Sequence, residues 1–247
     1  MDSALARTLR RVAVLCSLVS VLALTACGQR AKHSKPATQA ASAAGRAQGA
    51  LWKDVPDKVN VSAKYLFYLH GMIVENEGIR PISPQYGVYE YEQILDTFVD
   101  KGFNVISEPR ARGTNPREYA AKVVGQIKRL LEAGVPPRGI TAVGASRGGA
   151  IVILASTLLR NRDVNFVILA ACGNSSVYRE TKVDLWGNIL SIYDFKDVTG
   201  AGSCRRFVDG STGVKRYKEI VLRLGTGHGI LYRPLREWVE PTLDWAH

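Results

Sequence analysis

Apolar positions along the chain follow two rhythms, one for strands and one for helices. Lys64-Tyr-Leu-Phe-Tyr-Leu-His70 is rich in aromatic and aliphatic residues and ends at Gly71, which predicts a strand. Residues 75–87 carry glycine and proline breaks and are expected to form a loop. Tyr91, Ile94, Leu95 and Phe98 recur at helical spacing, and Gly102 closes that helix. Phe103–Ser107 predicts the next strand. Thr114-Asn115-Pro116 opens a second helix with proline in its first turn. Its buried stripe is Tyr119, Val123, Ile127, Leu130 and Leu131, and Gly134 with Pro136-Pro137 stops it. Ile140–Val143 is a short strand, and Ala150–Leu159 an apolar helix. Asn165–Ala170, continuously apolar from Phe166 onward, reads as a strand covered on both faces. Asn188–Tyr193 and Glu219–Leu224 predict two more strands. Leu231–Trp245 predicts a closing amphipathic helix despite Pro234 and Pro241. Residues 51–60 show no firm pattern beyond a candidate edge strand. Strands alternating with helices predict an α/β fold, a mostly parallel sheet with helices on both faces.

With 247 residues, 46% hydrophobic and 22% charged, the chain has the makeup of one globular domain. The formal charge of +11 is uneven. Residues 1–50 carry Arg7, Arg10, Arg11, Arg30, Lys32, Lys35 and Arg46 against the single acid Asp2. No basic stripe of the kind that binds nucleic acid marks the remainder, so no nucleic-acid partner is expected. Arg7, Arg10 and Arg11 precede an uncharged run, Val12–Ala26, too short for a comfortable membrane span of about 20 residues. A basic start followed by a short apolar core predicts a secretory signal over residues 1–26. That run ends in Leu24-Thr25-Ala26-Cys27, which resembles the bacterial lipobox. The resemblance implies cleavage before Cys27, lipid on that cysteine, and an envelope location. With Gly28 next, it implies the outer membrane facing the periplasm, if the cell has one. Residues 28–50 contain no large apolar side chain and are expected to form a flexible tether. The organisation expected is therefore signal 1–26, lipidated cysteine and tether 27–54, and folded domain 55–247. Cys172 and Cys204 remain in the exported domain. They are a candidate disulfide, the alternative being two separate buried thiols.

The segment Ile140-Thr-Ala-Val-Gly-Ala-Ser-Arg-Gly-Gly-Ala150 carries the candidate chemistry. Gly144-Ala145-Ser146-Arg147-Gly148 fits G-x-S-x-G between a strand and a helix, the setting of a nucleophile elbow. The duller reading is a glycine-rich turn without chemistry. Parallel sheets build their sites at the carboxyl ends of strands. There the chain offers His70-Gly71-Met72, then Ser146, then Asp194 and Asp197, then His228 among glycines.

In this pattern the folded body, from about residue 55 to residue 247, resembles the α/β-hydrolase family. The resemblance implies that fold, without a large cap domain, and a serine esterase-like activity with no cofactor, and since no His, Cys, Asp or Glu spacing resembles a metal site, no metal is expected. It implies Ser146 as nucleophile, His228 as base and Asp197, favoured over Asp194, as the acid. The backbone N–H groups of Arg147 and Met72 would hold the oxyanion. His70 would brace the oxyanion loop rather than react, with Gly71, Glu75 and Asp194 in support. Glu75 is expected to pair with Arg147. The short interval Ala171–Gly187 leaves no room for a helical lid, so an open site served by the 75–87 and 171–187 loops is expected. The substrate expected is a small-molecule or envelope ester. A non-catalytic binding or scaffold protein on the same fold, or a thioesterase or peptidase, are the competing readings. Oligomeric state and natural substrate are not legible.

Overall fold

The computed structural model describes residues 49–173, 175–178, 181–199 and 202–247. The signal, Cys27 and most of the tether lie outside the described residues. Strands, in chain order, are β1 (Ala50–Trp52), β2 (Tyr65–Leu69), β3 (Ile82–Ser83), β4 (Gly87–Val88), β5 (Asn104–Ile106), β6 (Ile140–Ala145), β7 (Asn165–Leu169), β8 (Trp186–Asp194) and β9 (Gly213–Leu222). Helices are α1 (Met72–Glu77), α2 (Tyr91–Asp100), α3 (Pro116–Glu132), α4 (Arg147–Leu159), α5 (Arg205–Val208) and α6 (Arg236–Trp245).

Seven strands form one sheet in the order β1-β5-β2-β6-β7-β8-β9. Every pairing within it is parallel. All seven carboxyl ends therefore lie along one edge, and that edge collects the candidate residues. β2 shows how both faces are covered. Tyr65, Phe67 and Leu69 pack into a core with Ala120 and Ile127 of α3 and Ile151 and Ile153 of α4. Leu66 and Tyr68 point the other way, into a core with Ile94 and Phe98 of α2 and Trp238 and Leu243 of α6. The period of two puts successive side chains on opposite faces, so a strand covered twice reads as continuously apolar. Helix α4 is buried from Gly148 to Ser156, which explains why its sequence is apolar all round rather than in a stripe.

Four boundaries differ from the sequence expectation. The sheet begins at Ala50, inside the segment assigned to the tether, because β1 pairs with β5 along the outer edge. A Cβ on Gly49 would stand 2.4 Å from the carbonyl oxygens of Val99 and Phe103, so only glycine passes there. The expected 75–87 loop begins inside helix α1 and contains the small antiparallel hairpin β3–β4. β9 starts at Gly213, six residues before the predicted strand, because its first half, Val214-Lys-Arg-Tyr-Lys218, is a charged sheet edge of the kind that discourages edge-to-edge pairing. The closing segment divides into a 3-10 turn at Gly227–Tyr232 and helix α6, with Pro234 between them. Between β7 and β8 the described residues form a single 3-10 turn, Ser176–Tyr178.

Candidate active site

Ser146 occupies the turn between β6 and α4 with φ 53° and ψ −115°. That is a left-handed conformation L-residues avoid, and strain of this kind costs about 1–3 kcal/mol. Three close approaches impose it. A Cβ on Gly144 would lie 2.3 Å from the Gly148 carbonyl oxygen, one on Gly148 1.9 Å from the Leu69 carbonyl oxygen, and one on Gly149 2.5 Å from Ala171 Cβ. The elbow is thus wedged between the ends of β2 and β7, and the Ser146 N–H donates to the Leu169 carbonyl at 2.9 Å. Arg147 is the first residue of α4 and Met72 the first of α1. The N–H groups in a helix's first turn have no intrahelical acceptor. Two such free donors therefore open near the serine, since a Cβ on Gly71 would be 3.7 Å from Ser146 Cβ.

The loops after β8 and β9 meet. His228 Nδ1 and Asp197 Oδ2 are 2.6 Å apart, so the ring donates from Nδ1 and keeps the Nε2 lone pair for another proton. Asp197 Oδ1 accepts from both the backbone N–H and the hydroxyl of Thr199, at 2.9 and 2.8 Å. Burial alone would raise the Asp197 pKa. The His228 and Thr199 donors outweigh it and bring it down to about 2. Asp194 has a different task. Its Oδ1 accepts N–H bonds from Lys196 at 3.0 Å and Gly227 at 3.1 Å, and its Oδ2 from Leu224 at 2.8 Å and Gly225 at 3.1 Å. Burial pushes its pKa up, and these backbone donors more than offset that and hold it below the ordinary carboxylate range. Asp194 stitches the end of β8 to the histidine loop, while Asp197 holds the imidazole. Among the described residues, no hydrogen bond joins Ser146 to His228 in this structure. Such bonds are often long without substrate and tighten in the complex.

His70 is fully buried. Its Nε2 accepts the Arg110 backbone N–H at 2.8 Å, which leaves Nδ1–H to donate to the Gly71 carbonyl at 2.8 Å. Burial first, and the Arg110 guanidinium second, bring its pKa down to about 3, so the ring is neutral. Glu75 lies between two guanidiniums. Arg110 Nε donates to its Oε1 at 2.8 Å, and Arg147 Nε stands 3.3 Å from its Oε2. Arg110 also donates to the His70 carbonyl oxygen. The expected Glu75–Arg147 pair is present, and it joins the first turns of α1 and α4. Arg110 escaped the sequence reading although it lies a few residues past the carboxyl end of β5, a strand end like those that supplied the other candidates.

No family model and no curated protein sequence matches the chain. Among solved structures it is similar to esterase B of Lactobacillus rhamnosis inhibited by a tributyrin phosphonate, with a TM-score of 0.51, 12% identity, and coverage of 76% of this chain and 75% of that one. The fold is that of the α/β-hydrolases. A lipase-esterase related protein of Clostridium acetobutylicum has a TM-score of 0.49 at 12% identity, covering 75% of this chain and 96% of that one. Arabidopsis thaliana SOBER1 has a TM-score of 0.44 at 15% identity, covering 74% of this chain and 100% of that one.

Within this α/β-hydrolase fold Cys172, just past β7, is disulfide-bonded to Cys204, with the Cα atoms 5.0 Å apart. The bridge ties the loop after β7 to the segment following Asp197. Tyr86, beside the β3–β4 hairpin, packs on the histidine loop, so that a Cβ on Gly229 would lie 2.9 Å from its ring. A cavity of about 500 Å³ begins at Arg147 and runs between the 113–117 loop and Ser176-Val177. The 113–117 loop was not among those expected to serve the site. A larger cavity, about 700 Å³, lies near Lys64, Lys101 and His247, away from the serine, acid and imidazole. Among the described residues no cluster of three or more His, Cys, Asp or Glu is arranged to hold a metal ion.

Proposed function

We propose that the protein is a serine hydrolase that cleaves ester bonds through an acyl-enzyme, with Ser146, His228 and Asp197 as its triad. The observation that carries this reading is the 2.6 Å His228–Asp197 pair at the same sheet edge as a strained Ser146. His228 Nε2 takes the hydroxyl proton as Ser146 Oγ attacks the ester carbonyl. Asp197, ionised at neutral pH, stabilises the imidazolium that forms. The oxyanion lies toward the N–H groups of Arg147 and Met72, each worth about 3 kcal/mol to the transition state. The imidazolium then protonates the departing alkoxide, and water, activated by the same ring, releases the acid. The open surroundings favour a short acyl ester or an accessible ester on an envelope molecule. The protein works from the outer membrane, facing the periplasm and held by lipid on Cys27.

Turnover of short 4-nitrophenyl esters should disappear in Ser146→Ala, and a fluorophosphonate should label Ser146 in the parent protein alone. If neither ester turnover nor labelling depends on Ser146, the chain is a binding or scaffold protein on this fold. Faster Ser146-dependent turnover of matched thioesters or amides would replace the esterase assignment with a thioesterase or a peptidase. Incorporation of a palmitate analogue that survives Cys27→Ala would overturn the anchor.

A further inference from the structure

We infer that the loops carrying Asp197 and His228 dock on an anionic membrane surface, with Phe195 and Val198 in the headgroup layer and Lys196 and Arg223 on its phosphates. The inference goes beyond the hydrolase reading and rests on the proposed anchor at Cys27 only for reach. Phe195 directly follows β8, and Leu224 lies just past β9. They are 48% and 41% exposed, and Val198, next to Asp197, is 95% exposed. Single apolar side chains in water are ordinary, but a cluster of them marks a contact surface. Here three stand on two loops that Asp194 already ties together. Its Oδ1 accepts the Lys196 N–H at 3.0 Å, and its Oδ2 the Leu224 N–H at 2.8 Å. Met72, the first residue of α1, is half-exposed on the same carboxyl edge of the sheet.

Charge selects the partner. Lys196 Nζ and the Arg223 guanidinium carbon each lie 5.7 Å from the centre of the Phe195 ring. Among the described residues neither cation is in an ion pair. The carboxylates of the same loops are buried, Asp194 on backbone N–H groups and Asp197 against His228. This corner therefore shows water an apolar surface flanked by positive charge. An uncharged apolar partner would leave both cations unmatched. Headgroup phosphates match them while the Phe195 ring and Val198 leave water. The preceding chain is long enough for this orientation. Gly49 enters at the amino end of β1, the edge strand opposite β9. Six inter-strand steps across and one nine-residue strand high, the sheet has a diagonal of about 40 Å. Residues 28–48 reach at most about 70 Å fully extended. An anchor at Cys27 thus leaves the carboxyl edge able to meet the bilayer, and its exposed apolar and basic side chains select that face.

The full chain is mixed with vesicles carrying a trace of nitroxide-labelled lipid, either equal parts phosphatidylglycerol and phosphatidylcholine or phosphatidylcholine alone. The readout is quenching of the emission that Phe195→Trp adds to the parent's. It should appear on the anionic vesicles, be absent on the neutral ones, and fade as salt rises. In that background Lys196→Gln and Arg223→Gln should each lower the docking constant by about fivefold, the usual contribution of one cation near such a surface. No added quenching on anionic vesicles overturns the inference. So does quenching in Val61→Trp in place of Phe195→Trp, because Val61 is exposed at the amino edge. A blue shift in Phe195→Trp that needs no vesicles and grows with protein concentration assigns the surface to a second copy, and also overturns it. Sedimentation separates the anchor from the surface. A chain that pellets with anionic vesicles alone keeps the docking and overturns the anchor, whereas one that pellets with neither overturns both. Loss of Ser146-dependent ester turnover bears on the hydrolase reading alone.

Discussion

Asp194→Asn is the substitution whose cost can be worked most directly from the geometry. Each oxygen of the carboxylate accepts two backbone N–H groups, Oδ1 from Lys196 and Gly227 and Oδ2 from Leu224 and Gly225. An amide of the same shape keeps one accepting oxygen and turns an NH₂ group toward the other two donors. Two bonds to a charged acceptor are lost, and donor faces donor. Such bonds contribute about 1.5–3 kcal/mol each. Leu224 and Gly225 sit in a partly exposed turn where water can replace the lost acceptor. The lower end of the range, about 3 kcal/mol in total, is therefore expected. For a folded body of this size that lowers the melting temperature by about 6–12 °C. Thermal unfolding and urea midpoints at pH 7 measure it directly. Ester turnover should fall as well, by roughly a hundredfold if the histidine loop shifts by about an ångström, even though Asp194 touches neither substrate nor imidazole. Amide exchange at residues 224–228 should quicken. A melting temperature within about a degree of the parent's would refute the stitch, and full turnover would refute its bearing on His228.

Two further outcomes follow from the strained serine and the neutral histidine. Ser146→Gly should be more stable than Ser146→Ala by about 1 kcal/mol in urea unfolding, because glycine accepts φ 53°, ψ −115° without the Cβ penalty, while both variants lose turnover. Equal stability would mean the turn stores no strain. His70 has a folded pKa of about 3 against an ordinary value of 6.5. Between those values the unfolded chain binds a proton the folded chain refuses, so stability rises with pH from 3 to 6.5 and is fully present above it. At pH 5 the proton has already removed about 2 kcal/mol. In His70→Gln the slope of stability against pH between 4 and 6 should flatten by about 1.4 kcal/mol per unit, and parallel curves for parent and variant would overturn the buried-neutral assignment.

The sequence by itself determined the layer architecture, the elbow and the pool of candidate side chains, because those signals are local. A strand covered on both faces must be apolar through its middle, as Phe166–Leu169 of β7 is, and a serine forced into a left-handed turn needs its glycines close by in sequence. Where burial was one-sided or the segment short, local pattern failed. The charged first half of β9, the three-residue β1 and the one-and-a-half turns of α1 carry too few apolar positions to declare themselves. Tertiary structure alone decided the division of labour. Asp194 and Asp197 are three residues apart and chemically identical. Only the arrival of the 224–228 loop from the neighbouring strand makes one a stitch for backbone N–H groups and the other the partner of an imidazole. Likewise Arg110 meets His70 from forty residues away and Glu75 from thirty-five. Periodicity reports which face of an element is covered, whereas hydrogen-bond pairing between loops depends on how parallel crossovers bring distant strand ends to one edge. That information exists only once the sheet has formed.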